Sequence, residues 1–199
     1  MVEAATLLFN GVGYFATDSN QIAREAGYAP ASFYKHFPDK KTVFLSVYEL
    51  FVSEVKQSVE QALSLPVPEE AASQLVHGLI QLHQRWRVFR ASLRALVAME
   101  PDIRQAHWAY RHDQLSWISS LNRSAPPSSS VAKNKASSAA ARAEAAELMF
   151  LLERVCDAIA DGEAEQLGLD HHQLTETLIS RVKARITPTK LQAVTSHSI

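Results

Sequence analysis

Between Pro30 and Phe37 the chain reads PASFYKHF. A helical step of 100° per residue puts Phe33 and Phe37 on one face and turns Ala31, Ser32 and Lys35 outward, with Tyr34 and His36 flanking them. The apolar side suits a core. The other side offers hydroxyls, a cation and an imidazole, the groups that hydrogen-bond base edges and phosphates when a helix lies in a major groove, and the small Ala31 and Ser32 permit close approach. Just beyond, Asp39 is placed to cap a further helix, so that Lys40, Lys41 and the first unpaired N–H groups of that helix converge where a phosphate can dock. The same residues also suit a three-helix subdomain with no nucleic-acid role, and periodicity alone does not separate the two readings.

The elements that must hold this face are written around it. Ala5, Leu8, Phe9 and Val12 fall at i, i+3, i+4 and i+7, so a helix begins almost at residue 1. Thr17 or Asp18 can cap a second helix, with Asn20 or Gln21 at its third turn-facing position and Ile22 and Ala26 pointing one way. Gly27 then permits a left-handed turn, and Pro30 suits the first position of a third helix, Pro30 to His36. A long amphipathic helix is predicted from Lys40 to Leu65, on Phe44, Val47, Phe51, Val55, Val59 and Leu63, and it ends at Pro66 and Pro68. Another pattern runs from Glu69 to Trp86, resumes after a break from Phe89 to Val97, and restarts at Pro101. From Asp102 to about Asn122 it carries Ile103, His107, Tyr110, Gln114, Trp117 and Leu121.

Ser124 to Ala141 lose the period and read as a flexible connector whose final alanines are compatible with helix. Leu148, Leu151, Leu152, Val155, Cys156 and Ile159 form one closing stripe, and Leu174, Leu178, Ile179, Val182 and Ile186 form a second. Residues 187–199 are expected to be a disordered tail. The fold class predicted is all-α.

Composition narrows the functions. In 199 residues, 20 Lys+Arg stand against 21 Asp+Glu, a net charge of −1, so nucleic acid must be met by a local patch and not by a global positive field. Six glycines argue against phosphate loops and turn-dense β architectures. The single Cys156 makes an internal disulfide impossible and fits a reducing compartment, hence a cytoplasmic protein. No apolar run spans a bilayer and no export signal opens the chain, so no membrane partner is expected. The eight histidines give neither an i, i+4 pair nor a cysteine partner, so no metal and no cofactor are expected. No nucleophile, base and orienting group share a face, so no enzyme is expected either.

Residues 1 to about 48 resemble the DNA-binding domain of the TetR-like family of bacterial transcriptional regulators. The resemblance rests on Ala4-Ala5, Leu8-Phe9, Gly13-Tyr14, Ala16-Thr17, Ile22-Ala23, Ala26-Gly27, Phe33-Tyr34, Phe37-Pro38 and Lys40. It implies a helix-turn-helix domain over 1–48 and a helical effector-binding and dimerisation domain over 49–186, with the connector at 124–141. It further implies a recognition helix at Pro30–His36, DNA contacts from Thr17, Ala31, Ser32, Tyr34, Lys35, His36 and Lys40, and an inducer cavity with a dimer interface in the C-terminal helices. The expected protein is a homodimeric repressor on double-stranded operator DNA, released when a small-molecule effector tilts the long helix. Three departures from the family pattern set expectations: Ala29 replaces a capping Ser or Thr and loses that cap, Ser19 replaces an aliphatic residue and loosens the packing of the second helix, and the chain opens at Met1 inside the first helix without a basic arm, which weakens DNA affinity. Charges from Met1 to Leu45 cancel, so binding would rely on placement.

Six arginines lie between Leu82 and His112, interleaved with Trp86, Phe89, Trp108 and Tyr110. Most are expected to be solvated, with their stems over apolar neighbours. A cavity for an aromatic or anionic effector would be lined by Trp86, Phe89, His107, Tyr110, Gln114 and Trp117. The twofold interface is expected on Leu148, Leu152, Val155, Ile159, Leu178 and Val182, in a four-helix packing. The rival reading is a helical ligand-binding protein or enzyme that acts through residues 82–117 with no DNA role.

Overall fold

The computed structural model describes residues 1–121 and 131–185, and all regular structure among them is helical. The elements are α1 (Val2–Gly11), α2 (Ser19–Glu25), a 3-10 turn (Pro30–Ser32) running into α3 (Phe33–His36), α4 (Lys40–Leu63), α5 (Pro68–Arg85), α6 (Arg87–Met99), α7 (Pro101–Leu121), α8 (Val131–Ala160), α9 (Glu163–Gln166) and α10 (His171–Lys183). Prolines set several of these limits: Pro68 and Pro101 occupy first helical positions, where a missing N–H costs nothing. No described helix is long and apolar enough to cross a membrane. The chain divides into two compact units, residues 1–55 with 85–110 and residues 56–84 with 111 onward.

In the first unit a run of rings forms the core. Phe9 meets the edge of Phe44 at 5.4 Å, and Phe44 stacks on Phe89 at 4.7 Å. All three are fully buried. Burial of rings this size is the largest favourable term available to a unit of this kind. Helix α1 stops a residue short of the predicted stripe, because the N–H groups of Val12 and Gly13 both turn back to the Leu8 carbonyl, at 2.9 and 3.3 Å. Val12 is consequently 58% exposed and not part of the core.

Gly13 makes that turn at φ +84, where a side chain would be strained, and a Cβ there would stand 3.2 Å from Ser92 Oγ. The next N–H, of Tyr14, donates to the same hydroxyl at 3.1 Å, which fastens the α1–α2 turn onto α6. Arg104 closes the other end of α6 by donating to the carbonyls of Val97 (2.8 Å) and Ala98 (2.7 Å), two of the acceptors a helix end leaves unpaired.

In the second unit α5 buries Leu75, Val76, Leu79, Ile80 and His83. The buried His83 meets, through Nδ1, Oδ1 of the partly exposed Asp157 of α8 at 3.0 Å, next to the fully buried Cys156. Helix α8 already runs from Val131, so residues 131–141, read as connector from their Ser and Ala content, are helical. Alanine is the best helix former, and no glycine or proline interrupts the run. Helix α10 is capped by Asp170, whose carboxylate accepts from Gln173 N at 2.7 Å. The connector residues before 131, Ile186 and the predicted tail lie outside the described residues.

Candidate nucleic-acid interface

The reading face depends on how α2 and α3 are started and joined. Asp18 is the N-cap of α2: it accepts from Gln21 N at 2.8 Å while Gln21 Oε1 accepts from Asp18 N at 2.7 Å. This reciprocal box satisfies two donors that a helix start leaves unpaired. After α2, Gly27 adopts φ +77 and Tyr28 N donates to the Ala23 carbonyl at 2.9 Å, so the chain reverses within a few residues. Pro30 opens the 3-10 turn, and Ala29 before it supplies no side-chain cap.

Helix α3 has only four residues, too few to persist by itself, and is held from below. Phe33 is fully buried, as are Ile22 and Ala23 of α2. What Phe33 leaves outside is the predicted face. Tyr34 is 64% exposed, Ala31, Lys35 and His36 are exposed, and Ser32 is half-buried. Tyr28, half exposed in the turn, lies with its ring 5.8 Å from that of His36 and extends this face. Sequence reading missed it, although an aromatic residue directly after the turn glycine was the available signal. Arg24 adds an exposed cation in the last turn of α2.

Two residues expected on the DNA side are placed otherwise. Thr17 is 2% exposed, and its hydroxyl donates to the Gly13 carbonyl at 2.8 Å. Lys40 Nζ donates to the carbonyls of Tyr14 (2.8 Å) and Thr17 (2.7 Å) and stands 3.9 Å from the centre of the Tyr14 ring. Burial pulls the Lys40 ammonium below its usual pKa. Lys41 pairs with Glu100 at 3.2 Å and lies 3.7 Å from Asp102. Both cations have protein partners, and Asp39 accepts from Thr42 N at 2.7 Å.

The Asp39 cap carries a pH signature. The Thr42 backbone N–H, first among its causes, holds the Asp39 carboxyl below its ordinary value of 3.8. A lowered folded-state value means that the cap is fully effective above the ordinary value and is lost as pH falls through the folded one. Asp39→Ala is expected to destabilise the chain by about 0.5–2 kcal/mol at neutral pH, with the two melting points converging in strong acid. Thermal unfolding across a pH series checks this.

Of the residues expected around an effector, Trp86, Phe89, His107 and Tyr110 belong to the first unit, and Gln114 and Trp117 to the second. Trp86 (2% exposed) and Phe89 (0%) are core. Trp86 Nε1 donates to Glu54 Oε2 at 2.8 Å, an acceptor shared with the Arg85 guanidinium. His107 Nδ1 and the Tyr48 hydroxyl are 2.7 Å apart. The Tyr110 hydroxyl donates to Glu49 at 2.9 Å, and burial together with that bond pushes its pKa up to about 12. In the second unit Gln114 Oε1 accepts from Arg111 at 3.1 Å, and Lys56 Nζ lies 5.8 Å from the Trp117 ring centre.

Of the residues expected at a dimer interface, Leu148, Leu152 and Val155 are half-buried and Ile159 is 8% exposed. Leu178 and Val182 are 2% and 0% exposed within the single chain, in an α10 packed on α8. Phe150, missed by sequence reading, is 58% exposed. Leu148 and Leu151 border a shallow pocket of about 190 Å³ with Arg181 and Arg185. Among the described residues no group of three or more His, Cys, Asp or Glu is placed to hold a metal ion.

A capped α2, a left-handed glycine turn and an α3 with one buried and one presented face form a helix-turn-helix, the arrangement by which DNA-binding regulators present a recognition helix. Residues 1–47 match the family described as bacterial regulatory proteins, tetR family. The fold extends the likeness to the whole chain. A candidate TetR-family transcriptional regulator from Rhodococcus sp. superposes with a TM-score of 0.67 at 14% identity, over 94% of this chain and 96% of that one. A TetR-family regulator from Streptomyces coelicolor gives 0.65 at 17% identity (97% and 93%), and the fatty acid degradation regulator FadR from Bacillus halodurans gives 0.59 at 15% (92% of each). No curated protein matches the sequence. The chain thus has the fold of TetR-family transcriptional regulators, with a family match confined to residues 1–47.

Proposed function

We propose that this protein is a cytoplasmic, non-enzymatic repressor that occupies a near-palindromic operator as a twofold homodimer and leaves it when a small molecule binds. The observation that carries the reading is the division of α3: Phe33 has no exposed surface, while Tyr34 beside it is 64% exposed together with Lys35 and His36. Ser32, Tyr34 and His36 supply hydrogen-bonding groups for base edges, Ala31 allows close approach or meets a thymine methyl, and Lys35 and Arg24 supply cations for phosphates. Two such helices about 34–36 Å apart would enter successive major grooves.

Selection of bound duplexes from a random pool by the full chain tests the reading. The expected result is an enriched inverted repeat with half-site centres about one helical turn apart. Absence of enrichment would overturn it. The interface proposed for the dimer is the α8 surface around Leu148, Leu152, Val155 and Phe150. Apolar side chains left partly uncovered on one helix face support it. Leu152→Glu is expected to convert a micromolar dimer to a monomer in light scattering, whereas a wild-type chain that is already monomeric would contradict the interface.

For the effector, His107 and Tyr110 of the first unit remain the proposed polar contacts, in a unit whose core includes Trp86 and Phe89. A hundredfold release from the operator requires the effector to favour the released state by about 2.7 kcal/mol. Within the first unit the route to the reader is short, because Ser92 of α6 already holds the Tyr14 N–H of the α1–α2 turn.

A further inference from the structure

The cap that ends α2 turns an aromatic ring toward the far end of α3. Gly27 N donates to the Arg24 carbonyl and Tyr28 N to the Ala23 carbonyl, both at 2.9 Å, the two crossed bonds of a Schellman motif around a left-handed glycine. In such a cap the residue after the glycine commonly packs its side chain back onto the helix it ends. Tyr28 does otherwise: half of it is exposed, and its ring lies 5.8 Å from that of His36, at an interplanar angle of 52°. His36 is exposed and is the last residue of α3. The backbone bonds thus fix the root of a ring that stands beside the imidazole. An exposed side chain at the end of a four-residue helix would otherwise exchange rotamers, and ordering it on binding lowers affinity.

We propose that Tyr28 is a positioning residue for sequence readout: its ring holds the His36 imidazole in one rotamer for a base edge, so that the turn as well as α3 contributes to the choice of operator. This rests on the DNA-binding reading above. The ring and not the hydroxyl carries the role, because the contact made is between rings. A hydroxyl donating to a phosphate would instead strengthen binding to every sequence alike.

The test uses the full chain with Tyr28→Ala, Tyr28→Phe, His36→Ala and the double alanine variant, with Tyr28→Leu in place of Tyr28→Ala should that variant fail to fold. The χ1 couplings of His36, measured by NMR without DNA, come first. They are expected to report one rotamer in the wild type and in Tyr28→Phe, and averaging in Tyr28→Ala. Averaging already in the wild type, or a single rotamer in Tyr28→Ala, would overturn the proposal. Anisotropy with the selected operator and with a mixed-sequence duplex comes second. Tyr28→Ala is expected to weaken operator binding about tenfold and mixed-sequence binding by less than about twofold, while Tyr28→Phe keeps both. Equal weakening on the two duplexes, or a Tyr28→Phe variant as weak as Tyr28→Ala, would make the hydroxyl a backbone ligand and overturn the positioning role. In the His36→Ala background, Tyr28→Ala is expected to have no further effect on the operator, and additive losses would mean that the two residues act independently. If the wild-type chain selects no operator, the DNA-binding reading fails and the readout with it, while the couplings still decide whether Tyr28 orders His36.

Discussion

Phe33→Ala is expected to cost about 3–5 kcal/mol, the range for emptying a fully buried phenylalanine site. The loss is large against the roughly 5–15 kcal/mol that holds an ordinary domain together. Phe33 is the buried anchor of a four-residue helix that makes no side-chain cap bond. No propensity within α3 can replace it, since so short a helix is marginal without tertiary packing. Denaturant unfolding would show the loss as a lower midpoint. Duplex binding should fall further than the unfolded fraction explains, because α3 loses its orientation before the rest of the unit melts. Phe33→Leu, which keeps most of the volume, is expected to retain both properties in large part. Equal stability for Phe33→Ala and wild type would mean that the ring does not hold the reader.

The second large effect is on affinity. Tyr34→Ala combined with Lys35→Ala removes the most exposed aromatic and an exposed cation of the presented face. A single interaction with a base or phosphate is worth about 1–3 kcal/mol, so the double substitution is expected to weaken operator binding by about a hundredfold or more in each half-site. Stability should hardly change, since both side chains stand outside the core. The two substitutions also differ in kind. Lys35→Ala should make the salt dependence shallower by about 0.9 per protomer, whereas Tyr34→Ala should narrow the gap between the selected repeat and mixed-sequence DNA. Anisotropy titrations with both duplexes at two salt concentrations separate these outcomes.

Much of the architecture was written in local chemistry. Pro30, Pro68 and Pro101 act through a fixed φ and a missing N–H, and Gly27 through its access to the left-handed region, so helix limits at these points follow from single residues. The division of α3 was legible for a similar reason: a helical period separates Phe33 from Lys35 whatever the chain packs against. Lys40 was not legible in this way. Its carbonyl partners are backbone atoms of a distant loop, and no side-chain pattern records which carbonyls a fold brings to a lysine.

Leu178 and Val182 show a second limit. An amphipathic stripe states that a face is covered but not by what, and here α10 is covered within its own chain. Residues 131–141 show a third, because low sequence complexity suggested a linker while alanine propensity carried α8 through them. Thr17 belongs with Lys40: its small polar side chain looks available in sequence, yet its hydroxyl closes a bond to Gly13 inside the turn.

The central claim is that α3 meets bases, and crosslinking measures it most directly. With Tyr34 replaced by the photoreactive p-benzoylphenylalanine in the otherwise intact chain, irradiation on the selected duplex should join position 34 to a base within each half-site. The same replacement at Leu7, exposed on α1, should give no base adduct. Adducts from position 7 and none from position 34 would contradict the assignment of α3 as the reader.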